Sequence, residues 1–312
     1  MKKVDINCRG TVPGKMYTRE EGAALLCEFQ DEIIRDFRAR FNKDLVNRKY
    51  FTRDLEAVAD TYGLGSDRGF RDLKRNLDKA SETIASWWSS IAGEERARRV
   101  LSRILPGEEM EVLYGVELQN GKGRTDIDSV VVTPYGVFVI EVRNFSQGMI
   151  WDEKGMIRTA EAGDMSTVSG PVQAENLADT INCKELVLRN VLKYHMNVPY
   201  YSILLVPDNK VRVTDRYGRI PVSCLSTVLG DIRGFSDGKR HISPKEMQEI
   251  SSLLRQSIRP VLVPCPVDCV KIAEEYSRFV SMCSGRKGEN VLKKLKDMFG
   301  KRPMERPDTE VA

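Results

Sequence analysis

The sequence predicts a mixed α/β protein in which helices cover a mixed sheet. Residues 137–143 and 200–206 are apolar on both faces, as expected for central strands that lie under helices on both sides. Residues 128–133 form a further strand, and the Pro-Tyr-Gly sequence at 134–136 joins it to the first run as a hairpin. Hydrophobic residues at helical spacing precede and separate these strands. The order helix, three strands, helix, strand is that of an α/β sandwich.

The N-terminal part of the chain is predicted to be helical. Residues 1–17 are a flexible lead-in, and a helical region follows over residues 18–90. Its first helix carries hydrophobic residues three and four positions apart, which places them on one face: Leu26, Phe29, Ile33, Phe37 and Phe41. A second helix begins near Thr52, and a third ends near Trp87 and Trp88. Packing between helices explains these two tryptophans better than a binding platform does.

The predicted α/β domain covers residues 91–235. It opens with a helix that ends before Pro106, because proline cannot continue a helix. The period of the hydrophobic pattern then changes from helix to strand. In chain order, the further elements are strands over 110–118, 128–133 and 137–143, a short strand near Trp151, a helix over 172–192, a strand over 200–206, and a short strand and helix over 222–232.

Two more segments complete the chain. Residues 236–285 form a helical C-terminal region, and residues 286–312 form a basic amphipathic helix and tail. The lysines of that last helix could neutralise nucleic-acid phosphates. Alternatively, they are solvated while Leu295 and Phe299 pack on the protein, and this second interpretation is slightly favoured.

The composition excludes several classes of protein. A net charge of +4 is too mild to identify a nucleic-acid binder. The chain has 7 cysteines, and Cys265 and Cys269 lack the second pair that a zinc site needs, so reduced thiols are expected. The sequence has only two histidines, His195 and His241, which argues against a histidine-based catalytic triad. No apolar run approaches the ~20 residues of a membrane span. We therefore expect a cytoplasmic protein without membrane contact.

One group of charged residues can carry chemistry. Asp128 opens one strand of the predicted hairpin and Glu141 closes the next, so the two carboxylates meet at one end of the sheet. Arg143 is two residues after Glu141 and shares its face. The negative charges of two adjacent carboxylates repel each other unless a cation neutralises them. Mg²⁺ can do so, because it prefers oxygen ligands. The group suits phosphodiester hydrolysis, although acids at strand ends are often merely solvated.

The central sequence resembles the nuclease-related domain (NERD) family. The resemblance rests on Gly93-Glu94, on residues 125–132, and above all on residues 135–144. It continues through Gly148 and a predicted helix start at Gly170-Pro171-Val172-Gln173 to Val206-Pro207. NERD proteins belong to the restriction-endonuclease-like, PD-(D/E)XK class of nucleases. The resemblance implies a restriction-endonuclease-like core with a mixed central sheet, flanked here by helical N- and C-terminal extensions.

The resemblance also implies a set of site residues. Asp128 and Glu141 would bind Mg²⁺ or Mn²⁺, and the backbone carbonyl of Val142 would add a third oxygen. Glu94 would reach the site from the preceding helix, with its neighbour Glu95 as the alternative.

Three positions need separate comment. Asp126 shares the face of Asp128 and could replace it only if the strand register slipped. Arg143 stands where the family has a catalytic lysine, and arginine cannot lose its proton near neutral pH. Gln173, the family's helix-start glutamine, is displaced by one position.

The predicted function is therefore a metal-dependent nuclease, with DNA favoured over RNA as the substrate. A first alternative is a weak or inactive nuclease-fold protein that binds nucleic acid or a protein partner, and Arg143 is the feature that points to it. A second alternative is a helical interaction protein in which the central domain is a scaffold. The N-terminal helices carry no identifiable chemistry, and they could form a homo-oligomer or bind a partner.

Overall fold

The computed structural model describes residues 11–284, apart from residues 12, 43–45, 47, 104–108, 121–122, 146, 162–163, 194–196 and 236–238. The predicted basic helix and tail at 286–312 and His195 lie outside the described residues. None of the described helices is long and apolar enough to cross a membrane.

Seven α-helices and eleven strands are assigned among the described residues. The helices are α1 (Arg19–Phe41), α2 (Phe51–Thr61), α3 (Arg68–Leu101), α4 (Leu177–Val191), α5 (Val228–Gly234), α6 (Pro244–Arg255) and α7 (Cys269–Ser284). The strands are β1 (Met16–Tyr17), β2 (Glu111–Asn120), β3 (Gly123–Thr133), β4 (Gly136–Val142), β5 (Met149–Trp151), β6 (Met156–Glu161), β7 (Asp164–Asn176), β8 (Tyr200–Val206), β9 (Val213–Asp215), β10 (Val222–Cys224) and β11 (Val263–Pro264).

These elements form two compact units. The described residues up to Trp88 and from Leu262 onward form one unit, and Ser89–Val261 form the other. The α/β boundaries predicted at residues 91 and 235 remain predictions.

The first unit is helical. Thr18 starts α1 with a capping box, since its side chain accepts a hydrogen bond from the Glu21 N–H and the Glu21 carboxylate accepts one from the Thr18 N–H. The predicted apolar face of α1 is buried at Leu26, Phe29, Ile33 and Phe37. Trp87 packs against Gly22, where an added Cβ would lie 2.3 Å from the indole, whereas Trp88 is 45% exposed.

The second unit contains the predicted mixed sheet, with strand order β10-β8-β4-β3-β2. The strands β2, β3 and β4 form an antiparallel meander, while β8 runs parallel to both β4 and β10. Every residue of β4 is buried, as its doubly apolar sequence predicts. This sheet and its helices are consistent with a nuclease-like domain, and the restriction-endonuclease-like topology itself stays a prediction.

Each face of the sheet has its own hydrophobic cluster. Val137 and Val139 of β4 pack with Leu188 of α4 and with residues of α6. Phe138 and Ile140, on the opposite face, pack with residues of α3 and α5. Any side chain on β4 can therefore be assigned to the α4 face or to the α3 face by its position in the strand.

Two predicted elements differ from the structure. The helix that was expected to begin near Gly93 is the last part of α3, which runs unbroken from residue 68 to residue 101. Glycine costs only about 1 kcal/mol inside a helix, and here an added Cβ would lie 2.9 Å from Cβ of Asn144.

The second difference concerns the helix predicted over residues 172–192. It begins at Leu177, capped by the Asn176 side chain, and residues 164–176 form β7 instead. β7 belongs to a second, four-stranded sheet of order β7-β6-β5-β9, of which the sequence indicated only the short strand near Trp151.

Candidate active site

The structure places Asp128 and Glu141 next to each other at one end of β3 and β4. The register pairs Ser129 with Ile140, so Asp128 and Glu141 occupy the next paired position. The Asp128 Oδ2 atom also accepts a hydrogen bond of 2.8 Å from the N–H of Val142. The hairpin geometry thus brings the two carboxylates together, as the sequence predicted.

Alternation along the strands puts this site on the α4 face. Glu141 shares its face with Val137 and Val139, which pack with Leu188 of α4. The carboxylate of Glu141 is completely buried. An ionised group in such a place needs partners, because burial without them is costly.

Two cations supply these partners. The Lys184 ammonium, on α4, donates a hydrogen bond of 2.6 Å to Glu141 Oε2 and is itself only 6% exposed. The Arg143 Nη2 atom lies 2.8 Å from Glu141 Oε1, and the Arg143 side chain is 28% exposed. One cation therefore reaches Glu141 from the helix and the other from its own strand.

Lys184 is the residue that the sequence reasoning missed. The signal that could have revealed it is its spacing in the helix. The sequence around it puts Leu177, Ile181, Lys184 and Leu188 at intervals of three and four, and the other three are fully buried. A lysine on the apolar face of a helix requires a buried acid as its partner, and Glu141 is that acid.

Burial and neighbouring charges together shift the pKa values of Glu141 and Lys184. Burial and the neighbouring charge of Asp128 raise the pKa of Glu141, and they outweigh the opposing effects of Lys184 and Arg143. Burial would lower the pKa of Lys184, but the charges of Glu141, Asp128 and Asp126 outweigh it and raise that pKa. Burial is the largest single influence on both groups, and the neighbouring carboxylates and cations modify it.

The oxygen atoms of the two carboxylates are of the type that hard divalent cations bind. Glu141 Oε1 is buried and, despite its short distance to Arg143, makes no hydrogen bond of good geometry within the described structure. Among the described residues, no group of three or more His, Cys, Asp or Glu side chains is placed to hold a metal ion. A two-carboxylate site suits Mg²⁺, which keeps several waters and also binds substrate phosphates. It does not suit a structural zinc ion, which needs four protein ligands.

The structure also locates the supporting residues from the sequence analysis. Glu94 is half-buried on α3, the helix that covers the face opposite to Glu141. Its alternative, Glu95, is exposed and pairs with Arg99. Gln173 lies on β7 and not at a helix start, because pairing with β6 overrides the local Gly-Pro signal. Its role in the site stays a prediction. The third ligand predicted at the Val142 carbonyl stays a prediction.

Asn144 ties the end of β4 to α3. Its Nδ2 atom donates hydrogen bonds to the Ser89 carbonyl at 2.8 Å and to Ser89 Oγ at 3.0 Å. Gly93 permits this close approach, because any side chain there would collide with Asn144. The segment that carries Arg143 is therefore held in place immediately after its strand.

Comparison with known proteins agrees with the resemblance seen in the sequence. Residues 89–207 match the family model of the nuclease-related domain. No curated protein matches the chain. The crystal structure of protein of unknown function AF1548 shares 13% identity with a TM-score of 0.26, and the match covers 66% of this chain and 97% of that one; so low a score carries no argument. The matched span contains the whole carboxylate and cation group.

Proposed function

We propose that the protein is a metal-dependent nuclease that hydrolyses phosphodiester bonds in DNA. The observation that carries this proposal is the pair Asp128 and Glu141 on neighbouring strands, inside the segment that matches the nuclease-related domain. The pair lies with Arg143 and Lys184 at the end of a sheet, where Glu141 is fully buried.

Asp128 and Glu141 would hold the metal ion, with the Val142 carbonyl as a third oxygen. Mg²⁺ or Mn²⁺ bound there supplies Lewis acidity and lowers the pKa of a water molecule. Such binding would need no rearrangement of the sheet, because both carboxylates belong to paired strands.

The two cations have different roles. Arg143 is partly exposed, so its guanidinium can contact a phosphate while it remains beside Glu141. Because arginine keeps its proton, Arg143 stabilises negative charge and does not act as a general base. Lys184 is buried against Glu141 Oε2 and holds that carboxylate in a single orientation. We therefore assign phosphate stabilisation to Arg143 and positioning of Glu141 to Lys184, with Glu94 and Gln173 as supporting residues still to be tested.

One observation favours a second candidate, a nuclease-fold protein that binds nucleic acid without cutting it. Both oxygens of Glu141 already have a cation within 2.6 to 2.8 Å, so the carboxylate is partly neutralised by the protein's own side chains. In that case Arg143 and Lys184 would stand in place of the metal ion, and Arg143 would serve only to bind phosphate.

Incubation of the purified full chain with plasmid and linear DNA, in Mg²⁺, Mn²⁺ or EDTA, separates the two candidates. A nuclease cuts with either metal, stops in EDTA and loses activity as Asp128→Asn. Glu153→Gln is the matched control, because it removes an exposed acid outside the site. Binding of intact DNA under all conditions would favour the second candidate.

A further inference from the structure

A basic loop, residues 208–219, lies beside the candidate active site. It follows β8, whose residue Leu204 pairs with Glu141 in the parallel ladder. Leu204 also belongs to the hydrophobic cluster that contains Trp151 of the second sheet and Ile181 of α4. Ile181 is one helical turn before Lys184, so the loop is built on the same strand and the same helix as the site.

The loop is held in a defined conformation by the second sheet. Its central strand β9 pairs in parallel with β5. The ladder extends one residue beyond each end of β9, because the Met149 N–H donates to the Arg212 carbonyl and the Arg216 N–H donates to the Trp151 carbonyl. Val213 packs on the cluster, so strand alternation turns Arg212 and Arg216 away from the core.

Cations dominate the exposed surface of the loop. Four of its residues are exposed cations, Lys210, Arg212, Arg216 and Arg219. In extended chain, Arg212 and Arg216 are separated by about 13 Å, a distance over which one DNA strand presents several phosphates. The pair is therefore spaced to follow a phosphate backbone.

Arg219 is pre-ordered by aromatic stacking. The Tyr217 ring stacks on the fully buried Trp151, with centroids 5.1 Å apart and planes 19° apart. The Arg219 guanidinium lies over the Tyr217 ring, 5.5 Å from its centroid. A stacked guanidinium has already lost much of its side-chain freedom, so binding a phosphate costs it little additional entropy.

The acids of the loop form no described ion pair with Lys210, Arg212 or Arg219. Asp208 Oδ1 accepts a hydrogen bond from the Lys210 N–H, and Asp215 Oδ1 accepts one from the Gly218 N–H. Both carboxylates are thus used to form turns of the backbone. Within the part of the chain that the structure describes, no ion pair joins Lys210, Arg212 or Arg219 to an acid.

We propose that residues 208–219 are a binding surface for the phosphate backbone of duplex DNA next to the carboxylate pair. The choice of DNA rests on the proposed nuclease function, whereas the surface itself rests on the exposed cations and their position. Such a surface binds any sequence, and it does so in a salt-dependent way.

The test is the salt dependence of binding to a short DNA duplex in EDTA, where cleavage does not interfere. The triple variant Lys210→Gln, Arg212→Gln, Arg219→Gln removes three phosphate contacts. Its plot of log affinity against log salt should therefore become shallower by about 2 to 3, and its affinity at low salt should fall at least tenfold.

The matched control removes the same charge at the other edge of the sheet. Lys245→Gln, Arg255→Gln, Arg259→Gln changes three exposed cations on and after α6, which packs against β2 and β3. This control should keep the native slope. The proposal is overturned if the salt slope is the same in the native chain, the loop variant and the control variant. It is also overturned if both variants lose the same amount of affinity and slope.

The outcomes also separate this surface from the proposed chemistry. If the native chain binds with a slope that depends on the basic loop but never cuts DNA, the surface stands and the proposed hydrolysis fails. If the native chain cuts DNA and the loop variant binds and cuts with unchanged salt dependence, the surface fails and the hydrolysis stands.

Discussion

Replacement of Lys184 by methionine tests the buried pair on which the site is built. The change keeps the length and apolar stem of the side chain but removes the ammonium that lies 2.6 Å from Glu141 Oε2. Breaking a buried ion pair from one side costs about 3–5 kcal/mol, because the other charge is left buried and unpaired. Arg143 still lies beside Oε1, so we expect the lower end, about 3 kcal/mol.

The assay is denaturant and thermal unfolding of Lys184→Met, Glu141→Gln and the double variant. For a unit of this size, a loss of about 3 kcal/mol lowers the Tm by roughly 6–12 °C. The double variant should lose much less than the sum of the single variants, since it leaves no unpaired charge. Arg99→Met is the control, because it removes an exposed ion pair of 3.1 Å and should cost less than about 1 kcal/mol. Single losses as small as the control, or strictly additive losses, would refute the buried pair.

Three further predictions concern cleavage, metal binding and pH. Arg143→Lys keeps the charge and should retain or increase cleavage, whereas Arg143→Ala should lower kcat about 10²–10³-fold, measured on linear DNA; equal rates would place Arg143 outside the site. Mn²⁺ should raise the Tm of the native chain but not of Asp128→Asn, because only a folded site binds the ion; an unchanged shift would mean binding elsewhere. Burial alone would raise the pKa of Asp152, but the Arg158 side chain and two backbone N–H groups together outweigh it and lower that pKa. Its stabilising contribution is therefore complete above about pH 4 and is lost as the pH falls through the folded pKa, and Asp152→Asn should flatten that acid dependence in unfolding measurements; an unaltered acid dependence would show that Asp152 does not contribute to it.

The meander was predictable because its signal is local. The apolar run of β4, the Pro-Tyr-Gly turn and the register that follows from them place Asp128 beside Glu141 without any knowledge of the rest of the chain. The same is true of the apolar face of α1. In each case the spacing of hydrophobic residues and the turn residues favour one structure.

The second sheet and Lys184 depend on contacts between distant parts of the chain. Gly170-Pro171 is a normal helix-start signal, yet pairing with β6 keeps those residues extended in β7. Gly93 is a normal break signal, yet α3 passes through it, and the missing side chain leaves room for Asn144. Lys184 is 43 residues from Glu141 in sequence, and only the packing of α4 on the sheet reveals that they meet.

Cleavage of plasmid DNA by the full chain tests the central proposal most directly. We expect cutting in Mg²⁺ or Mn²⁺, none in EDTA, and a loss of cutting by Asp128→Asn that Glu153→Gln does not share. Intact plasmid with the native chain in both metals, or equal cutting by Asp128→Asn, would contradict the assignment of Asp128 and Glu141 as the catalytic carboxylates.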